Sequence, residues 1–95
     1  MSGSGALTTD LIRTEGMAVI RCMGELDIST EDAIFGAITD ALARPVFYLC
    51  LDFRDLRFCD STLLRVLDVA RAEGRNRDIE VRVLEGPATQ RLQSF

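Results

Sequence analysis

Leu49–Leu67, the stretch LCLDFRDLRFCDSTLLRVL, decides the fold of this chain. An apolar run typical of a strand comes first, a charged segment follows, and the chain then reaches Asp60, Ser61 and Thr62 ahead of a helical pattern. Asp and Ser are strong N-cap residues, because their side-chain oxygens can accept hydrogen bonds from the unpaired N–H groups of a first helical turn. The stretch therefore predicts a strand, a charged turn and a helix start in direct succession.

The helix start at Ser61 and Thr62 places hydroxyls at the positive end of a helix dipole. That end stabilises an exposed anion by about 0.3–1 kcal/mol. A phosphate, which adds nearly two negative charges, would therefore be tolerated there. On spacing alone two interpretations stay open: the residues only cap a helix, or one hydroxyl is a phosphorylation site.

The composition fits one small domain and excludes several classes of protein. With 95 residues, of which 47% are hydrophobic, the chain can bury a single core. A net charge of −4 argues against a nucleic-acid-binding surface, which needs basic side chains to replace counterions. All 11 basic residues are Arg, and the absence of Lys and His removes common catalytic groups and the commonest metal ligand. We therefore expect no enzyme, no metal and no cofactor.

The three cysteines, Cys22, Cys50 and Cys59, lack the short spacing of a zinc or redox motif. Cys22 and Cys50 lie inside apolar runs, where cysteine behaves as a small hydrophobic residue. They are predicted to be buried free thiols, which indicates a reducing cytoplasm.

The N-terminus carries no export signal. Residues 1–5, MSGSG, are small and polar and are interpreted as a flexible arm or a cloning remnant, whereas residues 6–95 form the predicted domain. No later apolar run approaches the roughly 18 residues of a membrane span. Neither export nor membrane insertion is expected.

Apolar periodicity predicts an α/β domain. The order of its elements implies right-handed crossovers and one mostly parallel, mixed sheet of four to five strands, with helices following the strands and an antiparallel first strand. The predicted elements are a weak edge strand at Ala6–Arg13, a central strand at Met17–Met23 closed by Gly24, a helix ending near Ala43, a strand at Val46–Leu51, a helix from about Ser61 to Glu73 ended by Gly74, a strand at Ile79–Leu84 and a short helix at Ala88–Ser94.

Local signals refine these elements. Ser29 with Asp32 approximates a capping box for the first helix. Asp52 and Asp55 are interpreted as parts of the turn that ends the third strand.

The second helix has a broad apolar arc that includes Leu63, Leu64 and Val66. Some of these three side chains are expected outside the core, where they would suit a partner surface.

Two stretches of the chain resemble a known family. VIRCMGELDIST at Val19–Thr30 and LDFRDLRFCDST at Leu51–Thr62 are similar to the signature stretches of the STAS domain, specifically of the bacterial anti-sigma factor antagonists. The resemblance covers roughly Met17 to Gln90. It implies a non-enzymatic domain whose unphosphorylated form binds an anti-sigma factor, usually a Ser/Thr protein kinase, and frees a sigma factor. Phosphorylation ends that binding.

The resemblance also implies site residues. The phosphoacceptor is the residue two after the Asp, here Thr62, with Ser61 beside it as the fallback; Leu63 follows where the family commonly has Gly. Loops after parallel strands share one sheet edge, so the loop around Asp27 is expected beside this helix start. For Glu25, simple solvation is the alternative. The implied partner-binding residues are Glu25, Asp27, Ser29, Asp60, Ser61, Leu63 and Arg65.

A second interpretation is a STAS subunit held permanently in a stressosome-like scaffold or a lipid-transport ATPase complex. Leu63 and the broad apolar helix favour it, because a permanent interface tolerates exposed apolar side chains. Neither interpretation involves nucleic acid or membrane contact, and homodimerisation is left open.

Overall fold

The structure, a computed structural model, describes residues 6–93. The predicted arm at residues 1–5 and the predicted end of the last helix at Ser94 lie outside these residues. The elements are β1 (Leu7–Thr14), β2 (Met17–Leu26), α1 (Glu31–Ala41), β3 (Tyr48–Cys59), α2 (Thr62–Arg77), β4 (Glu80–Leu84) and α3 (Pro87–Gln93).

The strands form one four-stranded sheet in the order β1-β2-β3-β4. β1 pairs with β2 in antiparallel fashion, while β2 with β3 and β3 with β4 are parallel. The predicted α/β fold with a mixed, mostly parallel sheet is confirmed. Both parallel crossovers step in the same direction along the sheet, so right-handed connections place α1 and α2 on one face.

The core lies between this face and the two helices. β2 alternates as a strand should, with Ala18, Ile20 and Cys22 buried beneath the helices. α1 buries a stripe at helical spacing, which includes Ile34 and Ile38. α3 packs against β3 through the buried Ala88. Within residues 6–93 no helix is long and apolar enough to cross a membrane.

β2 runs further than predicted, because Gly24 does not end it. Gly24 has a φ of +108°, and a Cβ there would lie 2.2 Å from the carbonyl oxygen of Ala6. The glycine thus admits the close approach of the chain before β1, and the strand continues to Leu26 with shifts in its register against β3. This extension brings the end of β2 to the candidate site.

β3 is also longer than predicted, and Asp52 and Asp55 lie inside it instead of in a turn. Each carboxylate has an arginine partner, which allows a charged residue within the sheet. Arg54 Nε and Nη2 donate to Asp52 Oδ1 and Oδ2 at 3.0 and 2.9 Å, and Arg21 Nη2 donates to Asp55 Oδ2 at 2.8 Å. The hydrogen bond from Arg54 lowers the pKa of the buried Asp52.

The predicted end of the second helix at Gly74 is wrong. α2 continues to Arg77, and Asp78 with a φ of 58° supplies the left-handed C-cap. A Cβ on Gly74 would lie 2.7 Å from Val81 Cγ2, so this glycine serves close packing of α2 against the chain that leads into β4.

The three cysteines are buried and unpaired, as the apolar runs around Cys22 and Cys50 predict. Burial raises the pKa of the Cys22 thiol to about 12. Cys59 Sγ donates to the carbonyl oxygen of Ala88 at 3.5 Å, which ties the end of β3 to α3. Among residues 6–93 no cluster of three or more His, Cys, Asp or Glu side chains could hold a metal ion.

Candidate partner-binding site

The loops after β2 and β3 meet at one edge of the sheet. Leu26 and Cys59 are register partners at the ends of these parallel strands. The backbone N–H of Asp60 donates to the carbonyl oxygen of Leu26 at 3.2 Å. The two signature stretches are thereby joined, and the start of α2 lies beside the loop that leads into α1.

The loop after β2 is held by its own side chains. Asp27 Oδ1 accepts hydrogen bonds from the backbone N–H and the hydroxyl of Ser29, at 2.9 and 2.6 Å. Thr30 Oγ1 accepts from the Asp27 N–H at 3.1 Å and donates to the Glu25 carbonyl at 2.9 Å. These bonds fix the loop and leave Ile28 at its tip, 66% exposed.

The predicted capping box of Ser29 and Asp32 is not formed. α1 begins at Glu31 after Thr30, which makes no side-chain cap. Ser29 donates its hydroxyl hydrogen to Asp27, because that carboxylate is the nearer acceptor within the loop. Glu25 lies within β2 opposite Phe58 of β3, so it belongs to the sheet and not to the loop.

The start of α2 is capped by Asp60, as predicted. Asp60 Oδ1 accepts from the Thr62 N–H at 2.8 Å, and its carbonyl oxygen accepts from the Leu63 N–H at 3.0 Å. Ser61, which carries no side-chain cap, is exposed. Thr62 is only 7% exposed. The assignment of Thr62 as phosphoacceptor stays a prediction, and Ser61 is the more exposed of the two residues.

An ion pair links the two helix starts. Arg65 Nε and Nη2 donate to Glu31 Oε2 and Oε1 at 3.0 and 3.3 Å, in a two-pronged geometry that suits Arg and carboxylate. The Glu31 side chain is 17% exposed and that of Arg65 is 55% exposed. Arg65 therefore braces α1 against α2 at the surface of the site.

A known protein family matches this chain. The family model described as Mlab, STAS domain, matches residues 10–95. The chain belongs to the STAS domain family. A comparison with functionally curated proteins finds no significant match.

Solved structures resemble this STAS domain. An anti-sigma factor antagonist from Mycobacterium paratuberculosis is 28% identical with a TM-score of 0.77, over 90% of this chain and 73% of that one. The anti-sigma factor antagonist SpoIIAA in its unphosphorylated form is 26% identical with a TM-score of 0.71, over 88% and 78%. An antisigma-factor antagonist STAS domain from Rhodobacter sphaeroides, 16% identical with a TM-score of 0.64 over 99% and 97%, shares the fold.

One predicted partner-binding residue of the STAS domain is not at the surface. Leu63 is fully buried in the core, whereas Leu64 beside it is 53% exposed. The reason is helical spacing: Leu63, Val66 and Leu67 form the buried stripe, and Leu64 lies one position off it. The correction replaces Leu63 with Leu64 on the candidate surface.

Sequence reasoning missed two residues of this edge, Ile28 and Glu31, and it named Leu64 only as one of three apolar side chains of which some were expected outside the core. The position of Leu64 could have been read from the helical spacing of its neighbours. Ile28 and Glu31 carried no such signal, because the exposure of a loop tip and an ion pair between two helices depend on tertiary structure.

Proposed function

We propose that this STAS domain is an anti-sigma factor antagonist that binds an anti-sigma factor of the Ser/Thr kinase type and so frees a sigma factor. A phosphate at the start of α2 would end that binding. The observation that carries the proposal is the joining of both signature stretches into one exposed edge, through the Asp60–Leu26 hydrogen bond and the Arg65–Glu31 ion pair. The two structural neighbours described above at 28% and 26% identity are named for this activity.

The surface chemistry of the edge supports protein binding. Ile28 at the loop tip and Leu64 on the first turn of α2 are exposed apolar side chains, and Ser61 lies on the same edge. Apolar anchors surrounded by polar groups are typical of binding hot spots. A phosphate on this edge would have to be desolvated in the complex, so it would weaken binding without disturbing the core.

The polar groups of the edge support a binding module and not an enzyme. The carboxylates of Asp27 and Asp60 accept backbone N–H hydrogen bonds, and in these positions they hold the loop and the helix start. The proposal places the domain in the cytoplasm, where its three reduced thiols would persist.

The test is a binding titration with the anti-sigma factor that co-purifies with the chain from its source cell. Ile28→Asp and Leu64→Asp should each weaken binding by about tenfold or more, because each buries a charge in the interface. Ile12→Asp is the matched control, since Ile12 is 45% exposed on β1, away from this edge. Equal affinities for the edge variants and the control would contradict the proposal.

A permanent subunit of a larger assembly is the second candidate. The exposed Leu64 and the near-complete burial of Thr62 favour it, because a permanent interface needs apolar surface and no switch. Under this alternative the chain would co-purify in an assembly of fixed composition, such as a scaffold or a transport ATPase, and phosphorylation would not release it.

A further inference from the structure

One face of the sheet carries no helix in the part of the chain that the structure describes. α1 and α2 lie on the other face, and α3 packs against β3 through Ala88, which belongs to the core. Parallel strands are normally covered on both faces, yet β2, β3 and β4 are parallel here and are covered on one. The uncovered side is called the open face, and it consists of every second residue of 10–14, 17–21, 48–52 and 80–84.

The open face is apolar in its middle. The strand register places Ile12, Val19 and Cys50 side by side across β1, β2 and β3. Ile12 is 45% exposed, and Cys50 is buried without belonging to the core, as its position on this side requires. Met17 and Tyr48, the one Tyr of the chain, form the next row. Tyr, Met and Arg are enriched in protein interfaces, so this composition indicates a surface that another protein covers.

The row on the other side of this apolar centre carries charges of alternating sign. Asp10, Arg21 and Asp52 are register partners on β1, β2 and β3. Arg21 also donates to Asp55, and Asp52 accepts from Arg54, so each group keeps a partner within its own chain. A negative, positive, negative sequence across the strands is complementary to itself when it is turned over, because the positive centre then lies opposite a negative neighbour.

We propose that two copies of this chain associate through the open face, related by a two-fold axis that runs parallel to the strands between β2 and β3. This axis lays β2 on β3 of the second copy and β1 on β4. Arg21 then lies opposite Asp52 of the second copy, and the symmetry repeats the contact, as in any interface of this type. Val19 lies opposite Cys50 of the second copy in the same way.

The charges select this axis over the alternative. A two-fold axis across the strands would lay each strand on its own counterpart, so Arg21 could not lie directly opposite Asp52. Complementary charges fix orientation more than they add affinity. The apolar row of Ile12, Val19 and Cys50 supplies the surface that both copies remove from water, since sheets that pack face to face bury the side chains of their inner faces.

The size of the open face predicts a weak dimer. Four strands spaced about 4.8 Å apart and three rows of side chains about 7 Å apart give roughly 400 Å² of projected area per copy. Specific interfaces bury about 800 Å² per partner, so this contact lies at the low end. Association should therefore depend on protein concentration in the micromolar range.

The first experiment measures the mass of the full chain by sedimentation equilibrium from about 5 to about 500 μM. The mass should rise from 10.5 kDa towards twice that value. Val19→Glu should weaken the dimer by about a hundredfold, because symmetry introduces the buried charge twice. Val69→Glu is the matched control, since Val69 is 36% exposed on α2, away from the open face, and it should leave the association unchanged.

The second experiment tests the axis at one position. Leu84, 39% exposed on β4, shares a row with Asp10, Arg21 and Asp52, so the proposed axis lays it opposite Asp10 of the second copy. Leu84→Glu should weaken the dimer by about tenfold or more, whereas Leu84→Arg should bind at least as tightly as the unchanged chain. The two variants carry the same change in size at the same site, so thermal unfolding should show similar stability.

A chain that stays at 10.5 kDa over the whole concentration range overturns the proposal, as do equal effects of Val19→Glu and Val69→Glu. Equal association of Leu84→Glu and Leu84→Arg overturns the axis. The open face is separate from the edge that carries Ile28 and Leu64, and these measurements need no anti-sigma factor. Their outcome is therefore independent of the proposed function.

Discussion

At the scale of single residues, neighbouring residues at the start of α2 have different roles. Asp60 supplies the side-chain hydrogen bond that satisfies the Thr62 N–H, and Thr62 itself contributes a nearly buried side chain. Ser61 contributes neither, and this residue is exposed. Capping and accessibility thus belong to different residues of one short segment.

This division predicts different stability losses at Asp60 and Thr62. Asp60→Ala should lower the free energy of unfolding by about 1 kcal/mol, because an N-cap acceptor is lost. Asp60→Asn is the control, since Asn caps nearly as well as Asp. Thr62→Ala should cost less than about 1 kcal/mol, roughly the burial of one methyl group. Urea unfolding of the three variants measures these differences, and a larger loss for Thr62→Ala than for Asp60→Ala would show that the helix start is held otherwise.

At the scale of elements, two glycines in helices have opposite surroundings. Gly74 in α2 packs so closely against the chain entering β4 that a Cβ would lie 2.9 Å from the Ile79 carbonyl oxygen and 2.7 Å from Val81 Cγ2. Apart from its chain neighbours and the backbone of its own helix, Gly36 in α1 has no atom within 4 Å of the position that a Cβ would occupy. The first glycine sets a packing distance, whereas the second only weakens its helix.

We therefore expect Gly74→Ala and Gly36→Ala to change stability in opposite directions. Gly74→Ala should destabilise the domain by about 1–3 kcal/mol, because an added methyl forces α2 away from β4. Gly36→Ala should stabilise it by up to about 1 kcal/mol, because Ala is the better helix former. Thermal unfolding of the two variants decides the matter, and a stabilising Gly74→Ala would mean that α2 can shift at little cost.

At the scale of the whole molecule, all three thiols are buried, and those of Cys22 and Cys59 belong to the hydrophobic core. Cys22 lies under the helices, Cys50 lies near the start of β3, and Cys59 lies where β3 meets α3. Burial raises the pKa of each thiol, so each is protonated and poorly reactive at pH 8. Their reaction with an alkylating reagent therefore reports opening of the fold.

Labelling with a thiol reagent at pH 8 should be slow in the native protein and should reach three thiols per chain in denaturant. A fourth thiol can then be added at either position of the helix start. After the labelling of the three native cysteines is subtracted, the thiol of Ser61→Cys should react rapidly and that of Thr62→Cys slowly, because only position 61 is exposed. Mass spectrometry counts the labels. Rapid native labelling of Cys22, or equal rates at positions 61 and 62, would contradict the burial described here.

Short-range patterns in the sequence determined the kind and order of the elements. Alternating and helical spacings identify four strands and three helices, and the two signature stretches indicate the STAS family, because these signals depend only on neighbours along the chain. The cap at Asp60 and the burial of Cys22 and Cys50 follow from the same local rules.

Tertiary structure alone decided how far the elements run and which site residues face outward. β2 continues through Gly24 and α2 continues through Gly74, because another segment of the same chain packs closely against each glycine. β3 continues through Asp52 and Asp55, because each carboxylate has an arginine partner. The exposure of Ile28 and the ion pair between Arg65 and Glu31 could not be predicted from the sequence either. Both arise where two loops that are distant in the chain are joined by the parallel pairing of β2 and β3.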